Sequence, residues 1–330
     1  MAGVMEVQSW SGDWNLPSID ISCLEVLVYA KFAGCPLKVN RSNNPWKSPV
    51  GKFPVLVSGE DVLTTSSKIM DYFREKNFNA DYYLTAKQGA DTLAFVSLVH
   101  RKLNPAILYT FWVDNSNYTK FTRPWYAKRL PFPLNYFVPG KISRQTRQQV
   151  CEGVDSEETD DLLESKLYKE AQECLNLLSI VLGDKEFFFG DSPTTLDAVV
   201  FAHLAVIWKA PLPNNKLHNY LQGYDNLTMF CGRILQRYLQ PEIEDQEQQR
   251  SSQSSPSSQA DSADSSERRN TLLAIGFAFI SMTVYALVSG LIQVEITTTG
   301  DSDDTDAEFT PDMSAFSFRE EKQNNENSAR

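Results

Sequence analysis

The chain has 330 residues, with 31 Lys and Arg against 42 Asp and Glu for a net charge of −11. The imbalance is local: residues 1–240 carry 25 acidic and 25 basic side chains, and everything after 240 carries 17 acidic and 6 basic. A neutral body with an acidic tail lacks the clustered basic surface of a nucleic-acid reader, which argues against that class of partner.

The N-terminus, MAGVMEVQSWSGDW, has no basic region followed by an apolar stretch, so no secretory signal is expected. It also lacks an Arg-rich, acid-poor helix of the matrix-targeting kind. The five cysteines (Cys23, Cys35, Cys151, Cys174, Cys231) are odd in number, scattered and without CxxC or zinc spacing. Reduced thiols in a cytosol-facing body, with no metal site, are the economical reading.

Along the chain, Ile19–Ala33 places Leu24, Leu27, Val28 and Ala30–Lys31 on a helix stopped by Gly34. Leu37–Asn40 is a short strand, and Val55–Val57 is a second, headed by Pro54 and turning at Ser58-Gly59 into Val62-Leu63. Ser66–Lys76 repeats apolar residues at helical spacing through Ile69, Met70, Tyr72 and Phe73. The order is strand, helix, strand, strand, strand, helix, a small α/β unit.

After Tyr83 the chain turns helical. Thr85 and Gln88 form a capping box opening a helix through Leu93, Val96 and His100. Thr122–Lys141 is rich in Pro and aromatics, and its prolines exclude a continuous helix. Trp125, Tyr126, Phe132, Tyr136 and Phe137 in that stretch are candidates for a partner surface, because such residues are enriched in interface cores. A loop packed across its own domain explains them equally well. Residues 158–182 put Leu163, Leu167, Ala171, Cys174, Leu175, Leu178 and Leu182 on one stripe. Thr194 and Asp197 form a second capping box, opening a nearly wholly apolar helix from Leu196 to Trp208, as expected at the centre of a bundle.

From Pro241 the composition breaks. Residues 241–270 hold almost no large apolar side chains and predict a flexible polar linker of about 30 residues. Thr271 to Ile292 is a run of 22 residues without a charge. At 1.5 Å per residue it spans about 33 Å as a helix, enough for a hydrocarbon core of about 30 Å. It predicts a single transmembrane anchor in a lipid bilayer, with Arg268 and Arg269 on the cytosolic flank. Residues 293–330 are an acidic tail of ten acidic and three basic residues, expected to be disordered across the membrane.

An α/β unit carrying Phe53-Pro54-Val55-Leu56, followed by helices centred on a Thr194–Asp197 box, resembles the glutathione-transferase fold. The resemblance implies a thioredoxin-like domain at 1–80 with a cis peptide before Pro54, and an all-helical domain at 81–240. Further segments narrow it: Asn15-Leu16-Pro17-Ser18, Asn44-Pro45-Trp46, Gln88-Gly89-Ala90-Asp91, Thr110-Phe111-Trp112, Pro131-Phe132-Pro133-Leu134 and Lys185–Asp191. Over residues 8–240 these are similar to metaxins, and the arginine-flanked anchor is similar to the metaxin form with a C-terminal span. What the resemblance implies is a non-enzymatic component of protein import and β-barrel assembly in the mitochondrial outer membrane, with its body in the cytosol and its tail in the intermembrane space. The partners implied are a metaxin 2-like protein, the sorting and assembly machinery, and the bridging complex to the cristae organisers.

A glutathione transferase needs a Tyr, Ser or Cys at the start of its first helix, where amides and dipole favour a thiolate. Counting back from Gly34, that place falls near Asp20, whose carboxylate repels a thiolate; Ser18 and Ser22 are the neighbouring hydroxyls. The pair that holds the glutamyl end of glutathione in transferases appears as Thr65-Ser66. Pro54 and Ser66 are therefore vestigial glutathione-site candidates, Ser66 being more simply a helix cap. Cys23 has Asp20 three residues earlier and no redox partner, so a packed thiol is expected. His100, His203 and His218 show no carboxylate or metal constellation. No cofactor is expected. The competing class is a membrane-bound glutathione-dependent transferase, and a tail-anchored adaptor unrelated to import is a third.

Overall fold

A computed structural model of the chain describes residues 5–59, 61–151, 160–240, 243–244, 276–277, 279 and 281–282. The first elements are β1 (Met5–Ser9), α1 (Ile21–Phe32), β2 (Leu37–Arg41), β3 (Val55–Ser58), β4 (Asp61–Leu63) and α2 (Ser66–Glu75). They form one four-stranded sheet in the order β2-β1-β3-β4, with β1 parallel to β2 and antiparallel to β3. The β3–β4 hairpin turns through Gly59 at φ +64°, a left-handed conformation that glycine adopts without a Cβ clash. Gly34 at φ +63° ends α1 in the same way. The Phe53–Pro54 peptide, immediately before β3, is cis.

The helical half begins with α3 (Ala86–Leu98), where Thr85 and Gln88 make both hydrogen bonds of the capping box. Its inward residue is Thr92, while Leu93 points outward at 74% exposure. The helix then widens to an i→i+5 turn over Val99–Leu103, running into α4 (Asn104–Leu108). Pro105 supplies the reason: it has no N–H for an i→i−4 bond, so the turn before it relaxes. After a second wide turn at Tyr109–Val113 come the short α5 (Asn115–Asn117), α6 (Arg123–Arg129), α7 (Leu134–Cys151), α8 (Asp160–Leu182), α9 (Thr195–Lys209), α10 (Lys216–Gln222) and α11 (Asp225–Ile234).

As its prolines require, 122–141 is not one continuous helix but is divided between α6 and α7. The segment breaks only at Leu130–Pro133, where Phe132–Pro133 is a second cis peptide. Pro124 stands in the first turn of α6, where its missing N–H costs nothing, and Pro139 lies buried inside α7 at the expense of one intrahelical bond.

The expected stripe on α8 is buried along its whole length, from Leu163 to Leu182. In α9 every residue from Thr195 to Ile207 is buried, and α9 packs directly on α1, itself buried from Cys23 to Ala30. These two helices join the α/β unit to the helical unit, and each fully buried Leu or Phe among them contributes about 1.5–3 kcal/mol. At the head of α9, Asp197 accepts from the Thr194 amide (2.8 Å), the Thr194 hydroxyl (2.6 Å) and the Phe188 amide (2.9 Å). The capping box therefore also closes the turn that precedes the helix.

The expected linker (241–270), span (Thr271 to Ile292) and tail (293–330) lie almost entirely outside the described residues. Among the described residues, no helix is long and apolar enough to cross a membrane.

Candidate functional site

Where a transferase would activate its thiol, Asp20 is the N-cap of α1, and its Oδ1 accepts from the Cys23 amide at 2.9 Å. Burial pushes the Asp20 carboxyl up, against the hydrogen bonds from Cys23. Ser18 is fully buried, and its hydroxyl accepts from the Asp20 amide (3.4 Å). Cys23 is fully buried one turn along; burial, and then the nearby Asp20 carboxylate, push its thiol far up. A thiol so placed is a packed side chain and not a nucleophile.

Beside Asp20 a cavity of about 290 Å3 opens between α1, α4 and α6. Trp14, Trp112, Phe121 and Tyr126 line it together with Asp20 and Ser22. Its wall contains Trp125, whose indole N–H donates to Asp13 Oδ2 at 2.7 Å. Arg129 binds the same oxygen at 2.5 Å and lies over the Trp125 ring at 3.9 Å. Trp125 and Tyr126 thus belong to a second core with Trp10, Ile19, Cys23 and Phe53, and the expectation that they face a partner is corrected. They turn inward because Asp13 and Trp10, more than a hundred residues earlier, come round to meet them. Phe132, Tyr136 and Phe137 are exposed as that expectation requires.

Ser66 differs from its expected role as a cap. Thr65 holds the N-cap position of α2, and Ser66 is the first helical residue, its hydroxyl helping to lower the Glu25 carboxyl. Glu25, 2% exposed on α1, is the centre of a cluster that sequence reading missed. His100 Nε2 lies 3.3 Å from Glu25 Oε1, and His203 Nδ1 lies 3.8 Å from the same atom. Burial pushes the Glu25 carboxyl up, but hydrogen bonds from His100 and Ser66 and the adjacent His203 outweigh it, so the group lies below its usual range. The hydrogen bond to Glu25 raises His100, whereas burial lowers His203. The expectation that the histidines have no carboxylate constellation is thereby corrected for two of the three. Each of Glu25, His100 and His203 offers a ligand-type atom within 4.8 Å of the others. His203 Nδ1 is committed to the Val199 carbonyl at 2.8 Å, so the arrangement works as a charged staple between α1, α2, α9 and the wide turn after α3. The one sequence signal was Glu25 itself, the only charge in the apolar run Ile21–Ala30.

A second staple ties Arg74 and Asp81 to the head of α9. Asp81 accepts from the Thr195 amide (2.8 Å) and hydroxyl (2.5 Å), and Arg74 bridges Asp81 (3.2 Å) and Thr195 (2.8 Å).

A family described as outer mitochondrial membrane transport complex protein matches residues 23–143, and the glutathione S-transferase C-terminal domain matches 171–234. Metaxin-1 of Mus musculus is 44% identical over 300 residues, covering 90% of this chain and 94% of its own. Metaxin-1 of Sus scrofa is 46% identical over 298 residues (89% and 93%), and Metaxin-3 of Xenopus laevis 47% over 237 (71% and 77%). Among solved structures, glutathione transferase F7 from Populus trichocarpa is 13% identical with a TM-score of 0.47, covering 74% of this chain and 99% of that one.

Proposed function

This chain belongs to the metaxin family, and on that premise we propose that it is a non-enzymatic component of the mitochondrial outer-membrane protein transport complex. The 44% identity to Metaxin-1 across nine tenths of the chain carries the reading, and the transport-complex family match over 23–143 supports it. The finer proposal is a two-unit body (1–80 and 81–240) facing the cytosol, a linker (241–270), an anchor from Thr271 to Ile292 and an acidic tail (293–330) in the intermembrane space. It acts in sorting and β-barrel assembly with a metaxin 2-like partner, the sorting and assembly machinery and the cristae-bridging complex.

The start of α1 favours a non-enzymatic role. Asp20 caps the Cys23 amide, and Cys23 is sealed in the core. The test is depletion of the chain from mitochondria followed by import of a newly made β-barrel protein. Slowed membrane integration is expected; unchanged integration contradicts the reading. Conjugation of glutathione to a generic electrophile, abolished by Ser18→Ala or Ser22→Ala, would instead establish the transferase.

A further inference from the structure

The body is neutral as a whole, but its cations are not evenly spread. Residues 115–151 hold seven Lys and Arg and no Asp or Glu. This stretch forms α5, α6 and α7, and it also carries Phe132, Tyr136 and Phe137, which are 58%, 66% and 70% exposed. Phe132 and Tyr136 meet edge-to-face at 6.1 Å, so they form an aromatic knob outside the core.

On α7 the placement is one-sided. At 100° per residue, Tyr136, Phe137, Lys141, Arg144 and Arg147 fall within an arc of about 140°. That arc points away from the buried Pro139, Thr146 and Val150, and all five residues are exposed. Phe137, Lys141 and Arg144 stand at i, i+4 and i+7, so ring and cations succeed one another along a single convex face.

We propose that this face of α7, with Phe132, seats the body on the surface of an anionic lipid bilayer. A bilayer presents negative headgroups above hydrocarbon, which suits cations that stay in the headgroup layer and rings that sit just below it. A convex helix face matches a plane, whereas a peptide ligand calls for a groove. The inference rests on the proposed anchor. That tether keeps the body beside the membrane, so a weak surface affinity is enough to orient it.

The experiment uses the full chain reconstituted into phosphatidylcholine vesicles with and without phosphatidylinositol, doped with a phospholipid photoactivatable near its headgroup. Crosslinks are expected on Phe132, Tyr136 and Phe137 in the anionic vesicles, weakening as salt is raised. Neutralising two cations (Lys141→Gln, Arg144→Gln) lowers the docking ratio roughly thirtyfold. Crosslinks confined to other surfaces, or yields indifferent to neutralisation, overturn the proposal. A face that reacts only after residues 293–330 are removed also overturns it, because that assigns the face to the acidic tail. Retention of the chain in vesicles after alkaline extraction reports the anchor separately, so lost docking with a retained anchor sinks this inference alone.

Discussion

Glu25 Oε1 on α1 and His100 Nε2 in the wide turn after α3 lie 3.3 Å apart, joining the α/β unit to the helical unit through an almost fully buried carboxylate. The pair has a defined pH signature. His100 is raised above 6.5 in the fold, so its contribution is complete below 6.5 and is lost as pH climbs through the folded value. Glu25 is lowered below 4.5, so its contribution is present above 4.5 and is lost as pH falls through the folded value. His203 opposes His100: held neutral by burial, it removes stability as pH drops below 6.5.

Glu25→Gln is expected to cost roughly 1–3 kcal/mol near neutral pH. It should also abolish the loss of stability on the alkaline side of 6.5, a loss held to about 1 kcal/mol or less because His100 is half exposed. Urea unfolding of both proteins across this range checks it; parallel stability curves contradict the staple.

Asp197→Ala removes the acceptor for three donors at the head of α9 and leaves the Phe188 and Thr194 amides buried without a partner. A loss of roughly 3–5 kcal/mol is expected from the cap and the stranded amides together. The same urea measurement decides it, and a cost under about 1 kcal/mol would mean that the box is decorative.

The aromatic segment divides into two energetic classes. Trp125→Ala should cost about 3–5 kcal/mol, since it empties a core position and removes both the indole donor to Asp13 and the ring under Arg129. Phe137→Ala, on the outer face, should change stability by no more than about 0.5 kcal/mol. Equal costs in thermal unfolding would contradict the division.

The cysteines give a test of packing. Cys23, Cys174 and Cys231 are buried, whereas Cys35 and Cys151 are partly exposed. Alkylation of the native chain near neutral pH should therefore reach Cys35 and Cys151 first, slowly for Cys35, whose thiol burial raises to about 11. Rapid modification of Cys23 in the folded chain would show that the start of α1 opens to reagents and would weaken the non-enzymatic reading.

Local chemistry was the part legible in the sequence. The Thr85–Gln88 and Thr194–Asp197 boxes, the α8 stripe and the nearly wholly apolar α9 each depend on local spacing, and each stands as its spacing requires. Three features were hidden. Pro139 enters α7 because packing repays one lost backbone bond, which no local rule reveals. Trp125 and Tyr126 turn inward because residues 10, 13 and 23 come to meet them. The Glu25 cluster draws on positions 25, 66, 100 and 203, which only the tertiary fold brings together. The basic run over 115–151 was countable from the start but was masked by the balanced charge of the whole body.

The central claim is membership of an outer-membrane transport assembly, and its most direct test is affinity isolation of the full chain from mitochondria in mild detergent. Co-isolation of a second metaxin together with components of the β-barrel assembly machinery is the predicted result. Recovery of the chain with neither would contradict the account.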